Sequence, residues 1–145
     1  MTIVEYPHGS SGYQELVRLR DLHLRRPIGL QMSESDLVGE ESQRHFALVE
    51  DGVILGGLVA NPTGGGITKL RQMWIDPGLR GQGHGRLLLD EVERRLAADG
   101  TTHLVLHARA EATGFYESSG YHVTGDPFTE VGIPHSRMEK KTGVA

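Results

Sequence analysis

The stretch "LRGQGHGRLLLDEVERRL" (residues 79–96) sets glycine at 81, 83 and 85 and then runs straight into an apolar helix. Glycine inside a helix costs about 1 kcal/mol relative to alanine, so its repetition needs a reason. One physical reason is close approach to the backbone. A helix N-terminus carries unpaired N–H groups and about half a positive charge. Glycines clear side chains from those groups, and Arg80 and Arg86 can add charge-assisted bonds to a phosphate. The segment directly before it, "ITKLRQMWI" (residues 67–75), reads as a strand, the usual placement of a phosphate cradle. Two other anion-binding motifs fail on spacing. A P-loop needs Gly-Lys-Ser/Thr, and no lysine follows here. The dinucleotide fingerprint needs Gly or Ala where Arg86 stands, so a nucleotide-binding domain is a weak alternative.

Outward from that loop the chain alternates. "TIVEY" (2–6) reads as a first strand, and "YQELVRLRDLHL" (13–24) as a helix with Leu16, Leu19 and His23 on one face. Pro27 ends it, and Ser33 or Ser35 can cap a short helix over 33–42. "HFALVEDGVILGGLVA" (45–60) is two apolar runs around Asp51-Gly52, a hairpin signal. "NPTGGG" (61–66) reads as a loop. Leu88, Val92 and Leu96 continue the apolar stripe of the central helix, and Gly100 suits its C-terminal cap. "HLVLHA" (103–108) is a buried strand, "EATGFYESSG" (111–120) a short helix, and "YHVTG" and "HSRMEKK" are closing strands. The sum is α/β, or α+β with an antiparallel front half and one parallel crossover.

Bulk properties bound the function. The 145 residues make one domain of length 1–145, with formal net charge −4 and no cysteine. No global basic field draws such a chain to nucleic acid or an anionic membrane. Disulfides, thiolate zinc sites and cysteine nucleophiles are excluded, which fits a reducing, cytoplasmic setting. No leader pattern opens the chain, and no stretch approaches the roughly 18 apolar residues of a membrane span. Eight histidines invite a metal site. His103 and His107 share a strand face, but four strand residues span about 13 Å, too far to share one zinc. The expectation is no metal.

The loop "RGQGHG" (80–85) resembles the acyl-CoA loop of the GNAT family of N-acetyltransferases. "ARAEATGFYESSGY" (108–121) is similar to that family's later motif, a Phe-Tyr pair followed by Gly-Tyr, and stands in the right order. The resemblance covers about residues 46–121, and the tail "FTEVGIPHSRM" (128–138) further resembles small ElaA-like members. It implies a mixed, mostly antiparallel sheet splayed between two parallel strands and flanked by helices. It also implies a bulge that splays strand 67–75 from "HLVLHA". Acetyl-CoA would be the cosubstrate and a small-molecule or peptide amine the acceptor, attacked directly in a ternary complex. A homodimer is compatible with the family.

The resemblance also assigns residues. Acetyl-CoA would lay its pyrophosphate on the amides of Arg80, Gly81, Gln82, Gly83, His84 and Gly85, beside Arg86. The pantetheine arm would follow Met73, Trp74 and Ile75, with an N–H near Met73 or Trp74 as oxyanion donor. Tyr116 would be the general acid for the departing thiolate. Glu130 or His135, with His107 next, would take the amine's proton, while Gln72 is no useful base. Arg25 and Arg26 could line the acceptor pocket or be surface charges. Arg109 stands where many members have Asn; it could reach a CoA phosphate, meet an acidic acceptor, or be a plain surface arginine. That departure, together with the open identity of the base, keeps a non-catalytic acyl-CoA-binding module as the alternative reading.

Overall fold

A computed structural model describes residues 1–142. Its strands are β1 (Thr2–Tyr6), β2 (Arg44–Glu50), β3 (Val53–Gly64), β4 (Ile67–Ile75), β5 (His103–Arg109), β6 (His122–Val123), β7 (Phe128–Glu130) and β8 (Ile133–Lys141). Helices α1 (Ser11–Arg20), α2 (His84–Ala98) and α3 (Thr113–Ser118) complete the regular structure. Hydrogen bonding orders the strands β1-β2-β3-β4-β5-β8-β6, with β7 on β8. Of the described pairings only β4 with β5 is parallel, so the mixed, mostly antiparallel α/β fold expected from the sequence is the one observed.

The chain divides into two compact units. Unit 1 holds Met1–Asn61 and Gln72–Val92. Its hairpin turns at Asp51-Gly52, where both residues take positive φ (51° and 77°), as a two-residue hairpin requires. Helix α1 starts on the Ser10 cap, whose side chain accepts from the Tyr13 N–H at 3.2 Å. Its apolar face meets the sheet through Leu16, Leu19, Ala47 and Trp74. Gly57 makes room for that contact, because a Cβ there would lie 2.6 Å from Trp74 Nε1. Behind the helix lies a fully buried ion pair. Glu40 accepts two bonds from the Arg20 guanidinium, both 2.8 Å, and one from the Tyr13 hydroxyl at 2.7 Å. The His45 ring sits 2.9 Å from the Glu40 carbonyl.

Unit 2 holds Pro62–Arg71 and the chain from Glu93 on. Its parallel register runs from Ile67↔His103 to Leu70↔Leu106. Strand β8 pairs with all of β5 through His135 to Lys141 and carries β6 and β7 on its other edge. Tyr121 donates to Glu93 at 2.6 Å, and Lys140 bonds both Glu93 (2.7 Å) and the Ser119 carbonyl (2.8 Å).

Two sequence expectations need correction. "NPTGGG" is not a loop throughout: Asn61 to Gly64 belong to β3, and only Gly65-Gly66 turn, with φ of 64° and 81°. Two left-handed glycines suffice for a tight hairpin, so the residues before them stay in the strand. The helix expected over 13–24 is α-helical only to Arg20 and continues as a π-helical turn, Asp21–Arg25.

Removing Glu40 strands the Arg20 charge in the core. Glu40→Ala is expected to lower unfolding stability by about 3–5 kcal/mol, read from urea denaturation.

Candidate active site

In unit 1, β4 ends at Ile75, and the carboxylate of Asp76 after it caps a short 3-10 turn by accepting from the Gly78 N–H at 2.9 Å. The glycine loop follows. Gly81 and Gly83 take φ of 78° and 86°, values that side chains resist, and a Cβ at either would meet nothing within 4 Å. Thus conformation, not crowding, selects glycine at both positions. Gly85 differs, lying inside the first turn of α2, which begins at His84. No acidic residue occupies that first turn, so nothing anionic offsets the dipole there. Within the loop, Gln82 Nε2 donates to the Gly78 carbonyl (3.2 Å) and His84 Nδ1 lies 3.3 Å from the Leu79 carbonyl. Arg80 Nε reaches the Ile75 carbonyl at 3.4 Å. Arg86 is exposed and paired with Asp90 at 3.2 Å.

Strand β4 carries one backbone irregularity, at Gln72. Gln72 has φ 56°, and no other residue of β4 has a positive value. Its Oε1 is buried with no hydrogen-bond partner, as is Trp74 Nε1. Ile75 is buried and Met73 half-buried. The Trp74 indole stacks on His23, centroids 4.6 Å apart and planes 10° from parallel. Burial lowers the His23 pKa; Asp76 opposes this, and Arg80 and Arg18 add to it. Arg26 pairs with Asp21 at 2.7 Å, and Arg25 lies 3.9 Å from Asp36.

In unit 2, Tyr116 lies on α3 between Phe115 and Tyr121, edge-on to both at 5.0 and 5.7 Å. Burial pushes its phenol up to about 12. Arg109 ends β5 and stands opposite His135 in register. Glu130 gathers two imidazoles: His107 Nδ1 at 2.9 Å from Oε1 and His135 Nε2 at 3.8 Å from Oε2. Burial alone would raise the Glu130 carboxyl. The His107 hydrogen bond, with the charges of His107, His135 and Lys69, outweighs it and holds the carboxyl below its ordinary value. His135 is buried and commits Nδ1 to the Ile133 carbonyl at 2.9 Å. The structure therefore brings Glu130, His135 and His107 together in unit 2, and Met73, Trp74, Ile75 and Arg80 to Arg86 together in unit 1.

Sequence reasoning missed two features. His23 reads as one more position on a helical face, and its stack on Trp74 depends on a strand fifty residues away. The φ of Gln72 leaves no local signal, because glutamine is not a residue that asks for a left-handed backbone.

Comparison with known proteins decides the family. Residues 26–142 match the family described as acetyltransferase (GNAT) domain. The chain belongs to the GNAT acetyltransferase family. A Bacillus subtilis (strain 168) protein that carries a provisional acetyltransferase name is 30% identical over 118 residues, 79% of this chain and 77% of that one. Escherichia coli ElaA shares the fold at TM-score 0.84 and 18% identity, covering 97% of this chain and 99% of its own. An aminoglycoside 6'-N-acetyltransferase complexed with coenzyme A shares it at TM-score 0.79 and 16% identity, covering 100% and 99%. No helix among the described residues is long and apolar enough to cross a membrane.

The raised phenol gives a direct readout. Tyr116 is expected to keep its proton at about pH 11, and its ionisation is then the difference between the wild type and a variant without the hydroxyl. Absorbance titration of the folded protein against Tyr116→Phe should show that difference only above that pH.

Proposed function

We propose that this GNAT protein transfers an acetyl group from acetyl-CoA to a primary amine by direct attack. The observation that carries the reading is the loop: left-handed Gly81 and Gly83 lead into a helix start without acidic side chains. Such a start suits the diphosphate of coenzyme A, and Arg80 and Arg86 supply the flanking positive charge. The coenzyme A complex of the aminoglycoside acetyltransferase supports use of the same cosubstrate here.

Each residue then has a task. The amides of Arg80, Gly81, Gln82, Gly83, His84 and Gly85 hold the pyrophosphate, and β4 from Met73 to Ile75 offers its backbone to the pantetheine arm. An N–H beside the Gln72 irregularity donates to the thioester oxygen as negative charge develops, worth about 3 kcal/mol for such a donor. The amine nitrogen bonds the carbonyl carbon, the carbon–sulfur bond breaks, and sulfur takes a proton. Tyr116 donates toward that sulfur. A thiol of pKa about 8.5 is a stronger acid than this phenol, so Tyr116 works by stabilising the developing thiolate, with its proton moving late. The amine's proton leaves on the side of the Glu130 and His135 cluster. Arg109 joins the cofactor side, as the position of its motif suggests. The acceptor class is a small-molecule or peptide amine.

Acetyl-CoA and CoA are expected to raise the melting temperature, while NAD and ATP leave it unchanged. Gly83→Ala forces a side chain into a left-handed backbone at a cost of about 1–2 kcal/mol, so the acetyl-CoA Kd should rise about tenfold by titration calorimetry. Loss of the Tyr116 hydroxyl in Tyr116→Phe should slow thiol release by about 100-fold with little change in acetyl-CoA affinity. Binding without thiol release from any amine would leave the acyl-CoA-binding module as the reading.

A further inference from the structure

We propose that His107 is the group that takes the proton from the acceptor amine, with the Glu130 carboxylate holding its ring in the tautomer that base catalysis needs. The inference rests on the acetyl-transfer reading above and names the base within it.

Three imidazole and carboxylate groups share one face of unit 2, and their hydrogen bonds separate their roles. A carbonyl oxygen can only accept, so His135 must donate through Nδ1 to Ile133, 2.9 Å away. His135 is also 4% exposed, which closes it to a substrate. A carboxylate likewise only accepts, so His107 donates through Nδ1 to Glu130 Oε1 at 2.9 Å. That leaves the lone pair of neutral His107 on Nε2. The His107 side chain is 25% exposed and the Glu130 side chain 43%, so this pair is the one open to an incoming amine. Phe128 closes one flank, its ring edge-on to His107 at 4.9 Å. The arrangement is a carboxylate orienting an imidazole whose far nitrogen is basic, the pairing that general-base catalysis uses.

The charged and titratable neighbours come from each strand packed on this face. Glu130 comes from β7, His135 and Arg137 from β8, and Lys69 from β4. Arg137, the cross-strand partner of His107, is engaged by Glu139 at 2.7 Å and Thr124 at 3.0 Å. The negative charge beside His107 is therefore that of Glu130. In the step, the ammonium N–H bond breaks and its proton goes to Nε2. The freed nitrogen pair then forms the bond to the acetyl carbon, the carbon–sulfur bond breaks, and the nitrogen gives up its second proton as sulfur takes one up.

The test follows thiol release from acetyl-CoA with spermidine, lysine amide and a glycyl peptide as acceptors, between about pH 6 and 9.5. H107Q is expected to lose about 100-fold in kcat near neutral pH, with unchanged acetyl-CoA affinity. The deficit should shrink toward the amine's own pKa, where solvent supplies free amine. E130Q should lose less, E130D should regain part of that loss, and adding E130Q to H107Q should cost nothing more. Wild-type kcat in H107Q, a deficit constant with pH, or an additive double variant would overturn the base assignment alone. Acetyl-CoA binding by the wild type with no thiol release from any of the three amines would overturn the transfer reading and the base with it. If H107Q no longer binds acetyl-CoA, E130Q decides, since its side chain lies in an exposed hairpin: unchanged kcat overturns the proposal.

Discussion

Strand β4 has to serve two purposes along nine residues, and much else follows from that demand. Its first half is an ordinary parallel partner, Ile67 to Leu70 against His103 to Leu106. Its second half begins at Gln72 with a left-handed backbone and a buried amide oxygen that finds no partner. Both features cost free energy, of order 1–3 kcal/mol each. A strand that only filled a core would gain nothing from either. Strained and unsatisfied groups of this kind concentrate where function needs them. In a GNAT protein this is the strand proposed to offer its backbone to the cosubstrate.

What the sequence made legible was local. The left-handed glycines of the loop, the Asp51-Gly52 turn and the buried stripe of Leu88, Val92 and Leu96 are each set by a few neighbouring residues. The parallel crossover follows from a long helix placed between two apolar runs. The three-residue strand β7 was not legible, because Phe128 to Glu130 is too short for alternation to register. The π-helical turn after α1 was missed for a different reason: Asp21 to Arg25 keep a helical pattern of residues, and only the hydrogen-bond spacing changes. No local pattern marks Arg20 and Glu40 as buried, because Glu40 is met by Tyr13 and Arg20 from α1 and by His45 from β2.

The candidate site shows the same division. Arg80 to Arg86 were readable as a group because they are contiguous. Glu130 and His135 were readable as residue types, yet nothing in the chain announced that His107, twenty-three positions before Glu130, would share its carboxylate. That meeting is made by register. Strand β8 sets its length against β5 and folds β7 back on itself through the Val131-Gly132 turn, where φ is 46° and 77°. Elsewhere in unit 2, Glu93 holds Tyr121 and Lys140 with direct bonds of 2.6 and 2.7 Å. That carboxylate is satisfied within the fold, whereas Glu130 faces a ring with a nitrogen left to use.

The stack of His23 on Trp74 has an optical consequence. Trp74 is the sole tryptophan of the chain, so its emission reports one place in the protein. A protonated imidazole against an indole face quenches its fluorescence, and His23 is held toward the neutral form. The folded protein therefore carries a built-in lamp at β4, bright at neutral pH and dimming under acid.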